Sequence, residues 1–424
     1  MLVGRDYGTF KDCLTAPVHR WFKYPAGYSY RLIRERIKEY GLGEDDLVLD
    51  PFVGSGTTLI EAMKAGVPSV GVEMHPFVAW VARVKTRWDL DTAKLRSAES
   101  DMARIVESYR PGYNPNGLPP LVRKCYSAEN LGKLVFLREA IEAVDWADDT
   151  KEFFRLALVD TLRTASVAGT GWPYIAPTRY HAKTTERDAF AEFKKTLSGM
   201  IEDLEKVKSD HPDHARARVI EGDARHMPEI ESSSVSLAIT SPPYLNNYDY
   251  ADRTRLEMYF MGWAGSWRDI TERVRDRLMI AATTQIRRSE FDPHHPLSDE
   301  VRCASLEVHE YLSGAIVRLG KLRREKPGKK SYDLMVAGYF NDMVRVLKEV
   351  KRCLKPGADF ILVVGDSAPY GVHIPTDELI GKLALGVGFR DYGIEILRKR
   401  GEKWRENPQR HKVGLRESLI LLGT

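Results

Sequence analysis

Short apolar runs recur along the chain, and most of them end at glycine, proline or an acidic residue. Such runs are typical of strands that are buried on both faces of a parallel sheet. Helical spacing of apolar residues follows or separates them, at 59–66, 340–354 and 378–385. The predicted strands lie at 47–49, 69–72, 218–222, 235–239 and 359–366, with a closing pair suggested by 388–389 and 418–422. The pattern favours an α/β fold, a Rossmann-like sheet with helices on both faces.

One interval is much longer than a strand–helix–strand step, which needs about thirty residues. It separates the strands that end at Glu73 and Asp223, and it contains helical patterns at 131–144 and 151–165. The glycine-, proline- and aromatic-rich stretch 165–185 is either a substrate-side or lid loop or an ordinary helix connection with buried aromatics. We therefore predict a catalytic domain in three parts (1–88, 216–262 and 335–424), a mainly helical insertion (89–215) and a further segment (263–334).

Residues 47–58 read LVLDPFVGSGTT, an apolar strand followed by a glycine-rich turn and the start of a helix. Gly54 and Gly56 allow a tight turn and close approach of a ligand. The free N–H groups at the helix N-terminus can then bind a carboxylate. A glycine pair alone would indicate only a generic strand–helix turn, but the full string is more specific. No Gly-Lys-Ser/Thr follows, which excludes a phosphate-binding P-loop.

Residues 240–244 read TSPPY and end the apolar run 235–239. Pro242 and Pro243 cannot donate to a sheet ladder, and both fix φ near about −65°. The chain must therefore leave the sheet as a stiff, extended arm. A hydroxyl, backbone carbonyls and the Tyr244 ring in one fixed geometry suit a flat, amino-bearing substrate such as a nucleobase.

These two motifs resemble those of the DNA amino-methyltransferases, enzymes of the class I S-adenosylmethionine-dependent fold that methylate exocyclic amines of cytosine or adenine. A first-position serine, here Ser241, resembles the N4-cytosine branch, whereas the adenine branch usually begins with Asp or Asn. Many members place the Ser-Pro-Pro-Tyr motif before the glycine loop, and this chain has the opposite, unpermuted order. The difference concerns the subgroup and not the reaction.

The resemblance implies S-adenosyl-L-methionine as the cofactor and assigns residues to it. Glu73 would bind the ribose hydroxyls, although a surface glutamate in a strand–helix loop is the simpler alternative. Asp223 would accept a hydrogen bond from the adenine amine, or else be a loop or capping acid. Tyr24, Pro25 and Ala26 would cover the methionine end, unless these aromatics only pack beneath the sheet. The glycine loop would contribute Asp50, Phe52, Gly54, Ser55, Gly56, Thr57 and Thr58.

The implied catalytic residues are Ser241, Pro242, Pro243 and Tyr244. The Ser241 side chain and the Pro242 carbonyl would accept hydrogen bonds from the amine, favouring a more tetrahedral nitrogen for direct methyl transfer. Tyr244 would stack on the base, which must leave the double helix to reach the arm. None of the four cysteines follows a proline, which argues against the covalent chemistry of C5-cytosine methylation.

Composition narrows the class of protein further. The chain has 424 residues, 43% of them apolar and 29% charged, as in globular proteins. It shows no membrane-spanning run, no signal core and no paired cysteines or metal-binding spacing, which fits a reducing cytoplasm. The net charge of +4 permits a polyanionic partner without requiring one.

A basic run at 318–330 holds seven Lys or Arg residues against one acid, Glu325. It indicates either phosphate contacts in a target-recognition segment, 263–334, or a solvated surface loop. A second basic stretch, 398–405, adds to the same expectation. We therefore predict double-stranded DNA as the partner, with a possible cognate restriction endonuclease. N6-adenine methylation, an RNA or tRNA amino-methyltransferase and a non-catalytic DNA-binding subunit remain alternatives.

Overall fold

A computed structural model describes residues 7–24, 27–112, 117–170, 175–176, 186–400 and 413–424. Its strands are β1 (Val48–Asp50), β2 (Ser69–Glu73), β3 (Gly169–Thr170), β4 (Ile175–Ala176), β5 (Ala217–Glu221), β6 (Val235–Thr240), β7 (Leu354–Gly365), β8 (Asp391–Arg400) and β9 (Leu415–Gly423). The helices of the first half are α1 (Tyr30–Glu39), α2 (Thr57–Lys64), α3 (Pro76–Lys85), α4 (Thr92–Glu107), α5 (Pro120–Arg123), α6 (Ala128–Ala143), α7 (Asp148–Ala165) and α8 (Ala189–Asp210).

Seven further α-helices follow: α9 (Tyr250–Arg253), α10 (Arg255–Phe260), α11 (Trp267–Ile270), α12 (Asp299–Ala304), α13 (Leu306–Glu325), α14 (Tyr332–Cys353) and α15 (Thr376–Gly386). The helical patterns at 131–144 and 151–165 are confirmed as α6 and α7. The strand suggested at 388–389 is wrong, because β8 begins only at Asp391. Gly388 instead takes a left-handed φ of 102°, which lets the chain turn after α15.

Seven strands form one sheet in the order β5-β2-β1-β6-β7-β9-β8. Neighbours from β5 to β7 are parallel, and β9 is antiparallel to both β7 and β8. This order, with one antiparallel strand near an edge, is the sheet of class I methyltransferases and confirms the predicted fold. The strand order switches between β1 and β6: β2 and β5 lie on one side of β1, and β6 and β7 lie on the other. The carboxyl ends of β1 and β6 therefore form the crevice where such folds bind ligands.

The helical insertion shares its apolar core with the sheet. One buried cluster contains Ile60 of α2, Phe77 and Val81 of α3, and Phe153 and Leu158 of α7. A second cluster covers the other face of the sheet, mainly with side chains of α13, α14 and α15. Helices therefore lie on both faces, and within the described residues none is long and apolar enough to cross a membrane.

The basic run 318–330 is not simply a loop. Arg318 to Glu325 form the last turns of α13, and only residues 326–331 connect this helix to α14. The side chains of Arg318, Lys321, Arg324, Lys326, Lys329 and Lys330 are exposed and form no ion pair with any described residue; we call this set the basic face.

A buried ion cluster joins the insertion to the segment that follows the arm. Glu257 of α10 is fully buried, and its Oε2 lies 3.1 Å from Nη2 of Arg163 in α7. Nη1 of Arg253 lies 3.6 Å from the Glu257 Oε1, and Nη2 of Arg253 donates to the Lys23 carbonyl at 2.9 Å. Burial opposes ionisation of Glu257, but Arg163 and Arg253 outweigh it and lower its pKa. The cluster thus fixes the chain just before Tyr24 relative to two helices.

We expect Glu257→Ala to lower the free energy of unfolding by about 3–5 kcal/mol, because it leaves two buried guanidinium groups without their carboxylate. Because the pKa of Glu257 is lowered, its contribution is complete near neutral pH and is lost as the pH falls through that pKa. Urea unfolding of both proteins at pH 7 measures the difference. Glu129→Ala, which removes an exposed carboxylate paired with Lys133, serves as the control and should change stability by less than about 1 kcal/mol.

Candidate active site

A cavity of about 870 Å³ opens at the carboxyl ends of β1, β2, β5 and β6. Its wall brings together these residues predicted from the sequence: Tyr24, Phe52, Gly54, Ser55, Thr57, Glu73, Asp223, Ser241 and Pro243. Residues from five separate stretches of the chain therefore meet at one place, as the sheet order requires.

The glycine loop takes the conformation that its glycines allow. Gly54 and Gly56 have left-handed φ values of 52° and 93°, where a side chain would be strained. Gly56 precedes α2 and offers no capping side chain, so the first-turn N–H groups of this helix are left for a ligand. The loop thereby presents backbone donors and the Ser55 and Thr57 residues at the cavity wall.

Glu73 is coupled to that loop. Its Oε2 accepts the Gly54 N–H at 3.0 Å, and its Oε1 accepts the His75 N–H at 2.9 Å. Burial raises the pKa of Glu73 to about 7, the two backbone donors oppose this shift, and nearby Asp50 adds to it. The carboxylate is therefore positioned at the cavity and only partly ionised at neutral pH.

Asp50 lies behind the loop and does not line the cavity. Its Oδ1 accepts Thr240 Oγ1 at 2.6 Å and the Phe52 N–H at 3.0 Å. Its Oδ2 accepts the hydroxyls of Thr58 and of Tyr28. Burial raises the pKa of Asp50 to about 6, and these donors oppose the shift. Asp50 and Thr58 thus support the cavity from beneath, and Gly56 likewise lies outside its wall; a direct cofactor contact for these three stays a prediction.

Asp223 lines the cavity but is also an anchor for its own loop. Nε of Arg225 lies 2.9 Å from the Asp223 Oδ1, and Nη2 lies 2.8 Å from Oδ2. Nη1 of Arg225 also donates to Oδ1 of Asp342 in α14 at 3.0 Å, and Oδ2 of Asp342 accepts the Ile280 N–H at 2.9 Å. The loop-acid role is therefore visible in the structure, while hydrogen bonding to adenine stays a prediction.

The arm that leaves β6 divides its residues between two sides. Ser241 and Pro243 line the cavity, Pro242 is buried, and Tyr244 lies away from the cavity. The Tyr244 hydroxyl donates to Oε1 of Glu417 in β9 at 3.0 Å. On that side, Leu245, Asn246 and Asn247 continue into a second, wider cleft.

The second cleft is basic and aromatic. Lys326 and Lys330 of the basic face reach it, as does Arg400 at the end of β8. Tyr332 and Tyr370 pack edge to face at 4.7 Å along its wall. Cationic and aromatic side chains together are the features that bind nucleic acid strands.

Several cavity residues were not predicted, and one predicted residue cannot be placed. His75 directly follows the acidic position, and its Nδ1 is buried without a partner among the described residues, while its Nε2 lies 2.7 Å from Thr254 Oγ1. Proximity to Glu73 in sequence was the one available signal for it and for Met74. Pro25 lies outside the described residues, as does its neighbour Ala26. Other residues missed are Gly27, Tyr28, Pro51, Val53, Gly222, Ala224, Tyr250, Leu278 and Met279.

The chain is similar to several known methyltransferases. A family model described as DNA methylase, of the N6- and N4-methyltransferase type, matches residues 8–82, which include the glycine loop and Glu73. Over these residues the chain is similar to DNA amino-methyltransferases. It is 26% identical over 442 residues to the Type II methyltransferase M.BsoBI of Geobacillus stearothermophilus, covering 95% of this chain and 85% of that protein. It is also 26% identical over 422 residues to M.AvaI of Nostoc sp., covering 93% and 84%.

Solved structures give a weaker likeness. An S-adenosylmethionine-dependent methyltransferase from Methanosarcina mazei aligns with a TM-score of 0.31 at 11% identity, covering 92% of this chain and 96% of that one. The rRNA methyltransferase aviRa of Streptomyces viridochromogenes aligns with a TM-score of 0.33 at 9% identity, covering 98% and 92%. At these scores, we base the fold assignment on the strand order.

S-adenosylmethionine is the cofactor of this family, and the residues of the cavity fit it. The free N–H groups of α2 suit its carboxylate, and Glu73 suits its ribose hydroxyls. Met74, Leu278 and Met279 offer apolar surface. Within the described ranges, no group of three His, Cys, Asp or Glu side chains could hold a metal ion.

We expect the affinity for S-adenosylmethionine to fall as the pH decreases through about 7, the pKa of Glu73. The ionised carboxylate can accept hydrogen bonds from both ribose hydroxyls, whereas the protonated form must first lose its proton. The fall should approach about tenfold per pH unit below that value. Glu73→Gln should weaken binding by about 10- to 100-fold and flatten this part of the profile. Calorimetric titrations between about pH 5.5 and 8.5 measure both.

Glu221→Gln is the matched control, since Glu221 pairs with Glu73 in the sheet register but faces Arg83. It should keep the profile of the unmodified protein. A Glu73→Gln profile as steep as the original would show that another group titrates.

Proposed function

We propose that the protein transfers the methyl group of S-adenosylmethionine to the exocyclic N4 amine of cytosine in double-stranded DNA, as the modification enzyme of a restriction-modification system. The observation that carries this proposal is the place of Ser241. It lies in the wall of the cofactor cavity, on an arm whose next residues enter the basic cleft. The arm is thus the point at which a cofactor and a nucleic acid base can meet.

The arm supplies hydrogen-bond acceptors where the amine needs them. Bound S-adenosylmethionine offers an electrophilic methyl group on a sulfonium centre. Ser241 offers a hydroxyl oxygen, and the Pro242 carbonyl accepts no hydrogen bond from the described residues. Two acceptors that hold the N–H groups would favour a pyramidal nitrogen with its lone pair directed at the methyl group. Transfer would leave the cofactor as a neutral thioether, and the surplus amine proton would pass to solvent water.

The choice of cytosine rests on the serine that opens the motif. Serine at this place is typical of the N4-cytosine branch, as Asp or Asn is typical of the adenine branch. The relatives named Type II methyltransferases support a role beside a cognate endonuclease. Because a paired base cannot reach a cavity wall, the proposal includes flipping of the cytosine out of the helix.

DNA would lie along the second cleft and the basic face, and residues 263–334 would form the target-recognition segment. This segment contains α13, whose last turns carry exposed cations and are followed by Lys326 and Lys330 in the cleft. When unpaired surface cations bind phosphates, they displace the counterions that are condensed on the DNA. These contacts therefore add affinity without sequence information.

Methylated DNA should contain N4-methylcytosine and no N6-methyladenine after incubation with the protein and labelled S-adenosylmethionine. Ser241→Ala should lower the single-turnover rate by about 100-fold, because a hydrogen bond formed to the reacting amine is lost. Nucleoside analysis of digested DNA and rapid-quench rates measure both.

Ser236→Ala is the matched control, since this serine lies in β6, the strand from which the arm leaves, and contacts Lys355. It should retain the original rate. N6-methyladenine as the product would favour the adenine alternative, and methyl transfer to tRNA without transfer to DNA would favour the RNA alternative.

Replacing Arg318, Lys321 and Arg324 together by Gln should weaken DNA binding and reduce the slope of log affinity against log salt by about 2–3, because each phosphate contact contributes about 0.9. Fluorescence anisotropy with a labelled duplex at several salt concentrations measures the slope. The control replaces Lys194, Lys195 and Lys206 of α8, which are also exposed. Equal slopes for the two triple variants would contradict a role of the basic face.

A further inference from the structure

We propose that Glu417 is a positioning residue of the methyl transfer, because it fixes the ring of Tyr244 on which the target base would stack. The inference rests on the proposed function and adds a residue that neither the motifs nor the glycine loop contains. Glu417 lies in β9, far from the arm in sequence, and is 1% exposed. Its Oε1 accepts the Tyr244 hydroxyl at 3.0 Å, and the Ser241 side chain also forms a hydrogen bond with that hydroxyl.

The sheet register brings Glu417 to this place. In the antiparallel pairing it stands opposite Gly365 of β7 on one side and Arg398 of β8 on the other. Nε of Arg398 lies 2.5 Å from the Glu417 Oε2, so one oxygen is held by a cation and the other is left for the tyrosine. The carboxylate therefore cannot turn away from Tyr244 without breaking an ion pair.

Two glycines leave room for this arrangement. A Cβ at Gly365 would lie 3.2 Å from Cδ2 of Tyr244 and would collide with the guanidinium of Arg400. A Cβ at Gly8 would collide with the carboxylate of Glu417 itself. Both glycines have ordinary backbone angles, so space rather than conformation requires them. Glu417, Arg398, Arg400, Gly8 and Gly365 thus form a clamp around Tyr244. The clamp is built from the N-terminal segment, three strands and the arm.

The clamp determines the position of the ring. The hydroxyl oxygen of a tyrosine lies on the Cβ–Cγ axis, so a fixed hydroxyl together with a fixed backbone defines χ1. The plane of the ring about that axis is set by its packing against Gly365 and Arg400. The prolines of the arm fix the backbone, and Glu417 fixes the hydroxyl through a charge-assisted hydrogen bond. Cζ of Arg400 lies over the ring at 5.4 Å from its centre. Since a displacement of about 1 Å at a reacting site can cost about 100-fold in rate, losing the clamp should slow transfer without weakening cofactor binding.

A double-mutant cycle tests the inference. Glu417→Leu and Tyr244→Phe should each lower the single-turnover rate on DNA by about 10- to 100-fold, and the double variant should lose no more than about twofold beyond either. Glu417→Gln should stay within about threefold of the unmodified protein, because its amide can bond the hydroxyl through either end. The dissociation constant for S-adenosylmethionine should change by less than about twofold in all of them.

Glu395→Leu is the control, because Glu395 of β8 is paired with Arg36 and does not touch the arm. It should leave the rate unchanged. Full activity of Glu417→Leu, or multiplicative losses in the double variant, would overturn the inference. Thermal unfolding of the same four proteins should give losses that do not add, and additive losses would overturn the clamp even if no DNA were methylated. Absence of methyl transfer by the unmodified protein would instead overturn the proposed function.

Discussion

The hydrogen bond between Thr240 and Asp50 joins the two halves of the sheet at the point where the strand order switches from one side of β1 to the other. Asp50 ends β1 and Thr240 ends β6, so the carboxylate ties the strand that precedes the glycine loop to the strand that precedes the arm. The same group accepts the hydroxyl of Thr58, at the start of α2. A buried carboxylate that accepts four hydrogen bonds destabilises the fold if any of them is missing. This requirement defines the position of the loop relative to the arm.

This arrangement separates two tasks with one short stretch of chain. The side of the arm that carries Ser241 faces the cofactor cavity, and the side that carries Tyr244 faces the sheet edge and the basic cleft. Under the proposed function, the cofactor and the DNA would enter from opposite sides of the arm, and the reacting groups would meet there.

Local patterns were sufficient to predict the strands, the glycine loop, the acidic residue after β2 and the arm. They could not show that Asp50, Gly56 and Thr58 lie behind the cavity, because neighbours in a motif can point to opposite sides of a turn. Leu278 and Met279 lie between Arg277 and Ile280, whose backbone groups are held by Arg225 and Asp342, and no local pattern encodes these long-range contacts. Glu417 was invisible for the same reason, since its position depends on antiparallel register between distant strands.

The helical insertion has a consequence for the order in which the protein can be assembled. β2 must pair with β5, whose strand is synthesised only after the whole insertion, so Ser69 meets Ala217 late. β1 waits still longer for β6. The emerging first half therefore holds only β1 and β2 of the sheet. The helices of the insertion, which share the core of its apolar helix faces, are the next elements available to cover them. A segment that appears to interrupt the catalytic domain would then act as its temporary cover on the ribosome.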